Sequence, residues 1–395
     1  MHEYKKRGIV FHKVNKLGVI SLLSNISIAI VTTVWAIYLE SILKNISYVG
    51  FLTGFFTFIG IFASIFFVPI IEKNNKAKIF SISILIFVLS YLLFSVTSSV
   101  WIVIVLGLLI TINSVIRVTS FGIILRDNSN DVSVSKNLGL VYTFFNIAWF
   151  IGPLIAGFVA EKYELNSVFL LAAGIMFLAL ILFNLFKIKD NRISKKIDLN
   201  LFKLVRDFLK DKNRLTIYFL GGGITFWNTL IYVYMPIHIV NLSNSDLLVG
   251  YFLSASIIPL IFLEYFFGRL TGKVGFKKIF FIGYLILSIA TIIAFFISNL
   301  YVVLAVIIIG SVGISMLEST TESYFFDIVK RDERDKFYGP YNTTIEVNSL
   351  IASVSIAGIL LILPFKFVFL FVGIVMFILA LVSLRIKNVV EAKRH

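Results

Sequence analysis

Long apolar runs, separated by short polar and mostly basic segments, fill the chain from residue 17 to residue 386. Runs able to cross a hydrocarbon core of ~30 Å as a helix fall at 17–39, 46–71, 79–98, 101–125, 137–160, 165–187, 215–240, 247–267, 279–298, 300–326, 337–363 and 366–386. Strand-period alternation is absent, which argues against a β-barrel. In lipid each backbone amide needs an internal partner, and a helix supplies it. The pattern predicts an all-α polytopic membrane protein with twelve transmembrane helices. Composition sharpens this: of 395 residues, 59% are hydrophobic and 14% charged, too few charges for a soluble domain of this length.

The formal net charge of +15 is unevenly placed. Lys5, Lys6, Arg7, Lys13 and Lys16 precede span 1, and Lys73, Lys76 and Lys78 follow span 2. Arg269, Lys273, Lys277 and Lys278 follow span 8, and Lys330, Arg331, Arg334 and Lys336 follow span 10. The alternate loops hold only Lys44, Lys162 and Lys366. By the positive-inside rule both termini are expected in the cytoplasm, with the chain multi-pass in the cell membrane. Residues 1–16 read as a cytoplasmic head, since no small-residue cleavage site follows. The charge is topological and calls for no nucleic-acid partner.

The segment 188–214 is the longest inside loop, and Leu199, Phe202, Val205 and Phe208 or Leu209 recur in it at helical spacing. It is expected to be a cytoplasmic linker carrying an amphipathic helix on the membrane surface, between an N-terminal bundle (1–187) and a C-terminal one (215–395). The same pattern also fits a plain charged tether. The two halves match at an offset of 200 residues: Val49-Gly50-Phe51 with Val249-Gly250-Tyr251, Phe66-Phe67 with Phe266-Phe267, Asp127 with Asp327, and Gly139 with Gly339. A parallel six-plus-six repeat implies two six-helix bundles related by a pseudo-two-fold axis along the membrane normal.

Two motifs carry a family resemblance. The stretch "GRLTGKVGFK", 268–277, keeps Gly268, Leu270, Lys273, Gly275 and Lys277 of a loop pattern, and its first copy keeps Glu72 and Lys73. The stretch "FIGPLIAGFVAEK", 150–162, carries Gly152, Pro153 and Gly157 in an antiporter-like arrangement, where small residues and proline equally suit generic helix packing. On these motifs and the repeat, the chain resembles the major facilitator superfamily over essentially its whole length, with the drug/proton antiporter branch the nearest. The arginine that marks that branch early in helix 4 is absent. The resemblance implies a gating loop at Glu72, Lys73, Gly268, Lys273 and Gly275, and a cavity lined by helices 1, 4, 7 and 10.

Five ionisable residues lie inside spans: Arg117, Glu264, Glu318, Glu322 and Glu346. At ~1.5 Å per residue, Glu318 is ~13 Å and Glu322 ~7 Å from Asp327, and Arg117 is ~15 Å from Asp127. An ionised group at a helix centre costs roughly 2.5–3.5 kcal/mol. Each must therefore pair, face water or take up a proton. Glu318, Glu346, Glu322 and Glu264 are proton-coupling candidates, although interfacial snorkelling explains Glu322 and Glu264 and a polar helix contact explains Glu346 as well. Arg117 is either a substrate group or half of a structural bridge to Glu318. Ser114, Asn25, Trp35, Tyr38, Trp227, Asn228, Tyr232 and Ser315 are further cavity candidates, with ordinary packing the competing explanation for the aromatics.

The chain has no cysteine, and its four histidines show no metal-ligand spacing. No metal or cofactor is expected. The reading is a secondary transporter using alternating access, acting as a monomer in the lipid bilayer, with protons as coupling ion and efflux of a small organic, cationic or amphipathic substrate. A proton-coupled importer or an organic-anion carrier using Arg117 is the alternative. Acids in "DNSND" and "RDERD" leave a membrane-embedded transferase as the alternative from another class.

Overall fold

A computed structural model describes residues 2–128, 134–188, 201–330 and 333–386. Every regular element among them is helical. The helices are α1 (His2–Leu43), α2 (Ile46–Lys73), α3 (Lys76–Phe94), α4 (Val100–Asp127), α5 (Val134–Tyr163), α6 (Leu165–Leu185), α7 (Leu201–Leu209), α8 (Lys212–Thr229), a π-helical turn (Leu230–Tyr234), α9 (Met235–Ser243), α10 (Asp246–Val274), α11 (Phe276–Phe296), α12 (Leu300–Ile328), α13 (Arg334–Asn342), α14 (Thr344–Leu360) and α15 (Lys366–Ser383).

Among the described residues, eleven stretches are long and apolar enough to span a membrane, with 336–360 counted as one. The twelfth is the run α8–π turn–α9. Pro236 has no N–H to close the next α-type bond, and the Met235 amide instead donates to the Leu230 carbonyl, five residues back. The segment predicted as one helix over 337–363 is divided at Thr343 into α13 and α14.

The chain forms two compact units. The first holds residues 1–42, 59–197 and 245–254, and the second holds 43–58, 198–244 and 255–395. In the first, the Ser27 hydroxyl donates to the Ala172 carbonyl at 2.7 Å, joining α1 to α6. Phe80 meets Phe183 edge-on at 4.8 Å between α3 and α6. In the second, α8 packs against α12, α14 and α15. A Cβ on Gly222 would lie 2.2 Å from Asn348 of α14, and one on Gly223 would lie 2.5 Å from Tyr284 of α11. Gly222 and Gly223 thus admit neighbouring helices to close range. The Thr344 hydroxyl donates to the Tyr218 carbonyl at 2.5 Å.

In the connecting segment, α7 is amphipathic, but its apolar side meets protein. Phe208 is fully buried, its ring within 6.5 Å of those of Tyr218, Phe325 and Phe337. The Arg214 guanidinium stacks 4.0 Å from the Phe337 ring. Aromatic partners from α8, α12 and α13 thus meet the Phe208 side of this helix. Leu199 and most of the linker before α7 lie outside the described residues.

Candidate functional site

The polar stripe read along α12 divides into two parts. Ser311 and Ser315 are buried, and their hydroxyls donate to carbonyls of their own helix, Ile307 at 3.4 Å and Val312 at 2.7 Å. Ser315 is therefore a packing residue. Glu318 and Glu322 follow and are exposed. Both neighbours of Glu318 toward the helix start, Met316 and Leu317, are buried, and so are Thr320 and Thr321 beyond it. One carboxylate thus faces open space from the middle of a tightly packed helix. No cation of the second unit forms an ion pair with it among the described residues. The charged group within electrostatic range is another carboxylate, half-buried Glu264 of α10.

Tyr232, carried on the π turn, is also within electrostatic range of Glu318. Asn228, one turn earlier, is half-buried, as Tyr232 is. Trp227 is 2% exposed, and a Cβ on Gly310 would come within 2.9 Å of its indole, so the ring fills a notch between α8 and α12. Glu322 has a firm partner that the sequence reading missed: the Tyr338 phenol donates to its Oε1 at 2.6 Å. That tyrosine stacks on Phe326 with ring centres 5.5 Å apart. Glu346 lies in the first turn of α14, half-buried and within electrostatic range of the Tyr218 phenol of α8.

In the first unit Arg117 is 8% exposed. Its Nε is sealed off without a hydrogen-bond partner, while its terminal nitrogens are not among the buried unpartnered atoms. The group of that unit that interacts with it electrostatically is the Tyr91 phenol of α3. Asn113, one turn before Arg117, donates to the Ser83 carbonyl at 2.8 Å and leaves its own Oδ1 unpartnered. Ser114 is half-buried beside it. Asn25 is buried and bonded to Ser21 of its own helix at 2.8 and 3.1 Å. Tyr38 is 3% exposed and donates to the Thr97 carbonyl at 2.9 Å, which makes it a tie between α1 and the end of α3. Trp35 is half-buried with its ring edge-on to Phe94 at 5.2 Å.

The loop motif is mostly helix. Gly268 and Lys273 belong to α10, which runs to Val274, and Gly268 has open space around it. The turn is made by Gly275 alone, at φ 87°. This corrects the boundary: nothing between Gly268 and Val274 interrupts a helix, and a lone glycine there costs only about 1 kcal/mol. Lys73 ends α2 and is exposed, whereas the Glu72 side chain lies outside the described residues. In the helix 5 motif, a Cβ on Gly152 would lie 2.6 Å from Ala29, and one on Gly157 would lie 2.8 Å from the Asp246 carbonyl. Gly250 comes as close to the Pro153 carbonyl, and the Ser254 hydroxyl donates to Phe150 at 2.7 Å. These small residues bring α5 against α1 and the start of α10. Among the described residues no cluster of His, Asp and Glu could hold a metal ion.

Residues 17–262 and 217–395 match the family model described as Major Facilitator Superfamily. An uncharacterised MFS-type transporter of Methanocaldococcus jannaschii is 25% identical over 263 residues, which is 65% of this chain and 67% of that protein. A bicyclomycin resistance protein homolog of Haemophilus influenzae is 26% identical over 166 residues, 39% of this chain and 40% of its own length. The chain therefore matches well under half of that second relative. Among solved structures, a POT family transporter in complex with 5-aminolevulinic acid superposes with a TM-score of 0.77, covering 94% of this chain and 95% of that one at 13% identity.

Proposed function

The chain belongs to the Major Facilitator Superfamily, and from that premise we propose that it is a proton-coupled secondary transporter, with Glu318 as the proton carrier. Multi-pass membrane transport of small molecules follows from the family, and an enzymatic role such as the transferase does not. The observation that supports proton coupling is the exposed Glu318 carboxylate of α12, with buried neighbours and, among the described residues, no cation of its unit paired to it. Alternating access opens and closes the space such a group faces. In the open state water solvates the carboxylate. In the closed state an ionised group costs several kcal/mol, and proton uptake removes that cost.

Efflux is the favoured direction, and a small organic cation or amphipathic compound the favoured cargo. The acids outnumber Arg117 inside the spans, and the Haemophilus relative is named for bicyclomycin resistance. A monomer in the cell membrane, both termini in the cytoplasm, fits the distribution of basic loops. Residues 1–187 and 215–395 would then be the two moving bundles. Gly275 and Lys73 would lie at the cytoplasmic turns, and Glu322 would be an interfacial neighbour held by Tyr338.

The second reading, an organic-anion carrier or a proton-coupled importer, rests on Arg117. A buried guanidinium whose Nε has no hydrogen-bond partner suits a carboxylate or phosphate. The two readings separate in a thermal-shift screen of purified protein at two pH values, with lipophilic cations and organic anions as ligands. The first predicts a stabilising cation whose effect weakens at the lower pH, with that pH dependence lost in Glu318→Gln. A ligand effect equal at both pH values in wild type would count against proton coupling. A stabilising anion lost in Arg117→Ala would favour the second reading.

A further inference from the structure

The end of the second unit remote from the α10–α11 turn holds a cavity of about 330 Å³. Its walls come from the end of α9, the turn joining α11 to α12, and the start of α15, and include His238, Phe295, Phe296, Ser298, Lys366 and Phe369. Among the described residues, no acidic side chain lines it. Lys366 is the first residue of α15, where the helix dipole favours an acid and opposes a cation. The start of α12, where the Asn299 side chain already caps the Val302 amide at 3.2 Å, reaches the same cavity through Leu300. The Lys366 ammonium is exposed and has ring faces as neighbours, 5.7 Å from Phe295 and 5.6 Å from Phe367. His238 is clamped flat on Phe365, with ring centres 3.8 Å apart, and meets Phe369 edge-on at 6.0 Å.

Several features of one sign thus converge on a concave space. An oxyanion would offset the repulsion and satisfy the ammonium, the imidazole and the Ser298 hydroxyl together. The rim narrows the chemistry further. Leu242 and Phe296 also line the cavity, yet they are 60% and 75% exposed, and Ile362 nearby in the chain is 84% exposed. In a membrane protein such a skirt faces acyl chains. The volume sits at the low end of small-ligand pockets, roughly 300–1,000 Å³, enough for a headgroup but not for a whole amphiphile.

We propose that this cavity binds the phosphate-bearing headgroup of a membrane lipid, with Lys366 and His238 on the phosphate and the acyl chains lying along the rim. On the orientation given above it is an outer-leaflet site, distinct from the carboxylates of α12.

The test uses full-length protein in a non-ionic detergent. Binding is read by native mass spectrometry and by the shift in unfolding temperature. Three probes are compared: phosphatidylglycerol, a diacylglycerol without phosphate, and soluble glycerol phosphate. Phosphatidylglycerol is expected to be retained and to raise the unfolding temperature, with diacylglycerol and glycerol phosphate far weaker. A basic residue near a membrane surface contributes about 1 kcal/mol, so Lys366→Ala should weaken retention about fivefold. His238→Phe, which keeps the aromatic stack, should weaken it too, while Lys44→Ala should leave it unchanged. Lys366 is exposed, so its variant is expected to fold. Equal retention of diacylglycerol, or wild-type retention by Lys366→Ala, would overturn the site. Tight binding of glycerol phosphate alone would overturn the lipid as its source.

Discussion

The α3–α4 pair in the first unit and the α11–α12 pair in the second occupy matching places in the repeat, yet they are held together by opposite means. At positions 83 and 113 the first pair has Ser83 and Asn113, whose side chains bond across to each other's carbonyls at 3.4 and 2.8 Å. At 283 and 313 the second pair has Gly283 and Gly313. A Cβ on Gly313 would lie 2.6 Å from the Gly283 carbonyl oxygen, so backbone approaches backbone directly. The turns before these pairs differ in the same way. Asn75 caps α3 by accepting from the Lys78 amide at 2.9 Å, whereas Gly275 turns into α11 at φ 87°. The repeat preserves the positions of the helices but not the interactions that hold them. Polar side chains do in one half what the absence of a side chain does in the other. Chemistry can therefore be one-sided on a symmetric scaffold: Arg117 has Leu317 as its repeat mate, and Glu318 has Val118.

If this contrast is right, the glycine side tolerates change least. Gly313→Ala should have the largest effect, destabilising by about 1–3 kcal/mol through overpacking against backbone that cannot yield. Thermal unfolding in detergent would show it, and a neutral result would mean the helices separate freely. Gly275→Ala should follow, at about 1–2 kcal/mol, because an alanine must adopt a positive φ. Asn113→Ala and Asn75→Ala should each cost about 1 kcal/mol, one a hydrogen bond and the other a helix cap. A larger loss at Asn113 than at Gly313 would reverse the comparison. Tyr338→Phe should be smallest, within about 0.5 kcal/mol, since its bond to Glu322 is exposed to solvent.

The spans were legible because a bilayer imposes length and apolarity on any helix that crosses it, and the basic loops were legible as a simple count. The π turn was not. Pro236 is visible in the sequence, but whether its missing donor produces a kink, a break or a wider turn depends on the packing of Tyr234, whose hydroxyl donates to the Ser353 carbonyl at 2.6 Å. At the site, Glu318 stood out because a carboxylate amid apolar residues is expensive anywhere. Ser315 and Trp227 were harder to read, because helical spacing gives a face without saying what meets it; one bonds its own helix and the other fills the notch at Gly310. Tyr338 and Tyr91 could not be found at all, since their roles arise from which helices pack together. Gly268 looked like a loop residue only because its motif suggested one.

The central claim is that Glu318 carries the coupled proton, and one comparison on one preparation addresses it most directly. Reconstituted wild-type protein and Glu318→Gln would each be assayed, with a substrate from the ligand screen, for transport driven by a pH gradient and for exchange of labelled against unlabelled substrate without a gradient. Glu318→Gln is expected to retain exchange and to lose gradient-driven accumulation, because alternating access survives without the proton. Gradient-driven transport at the wild-type level in Glu318→Gln would contradict it.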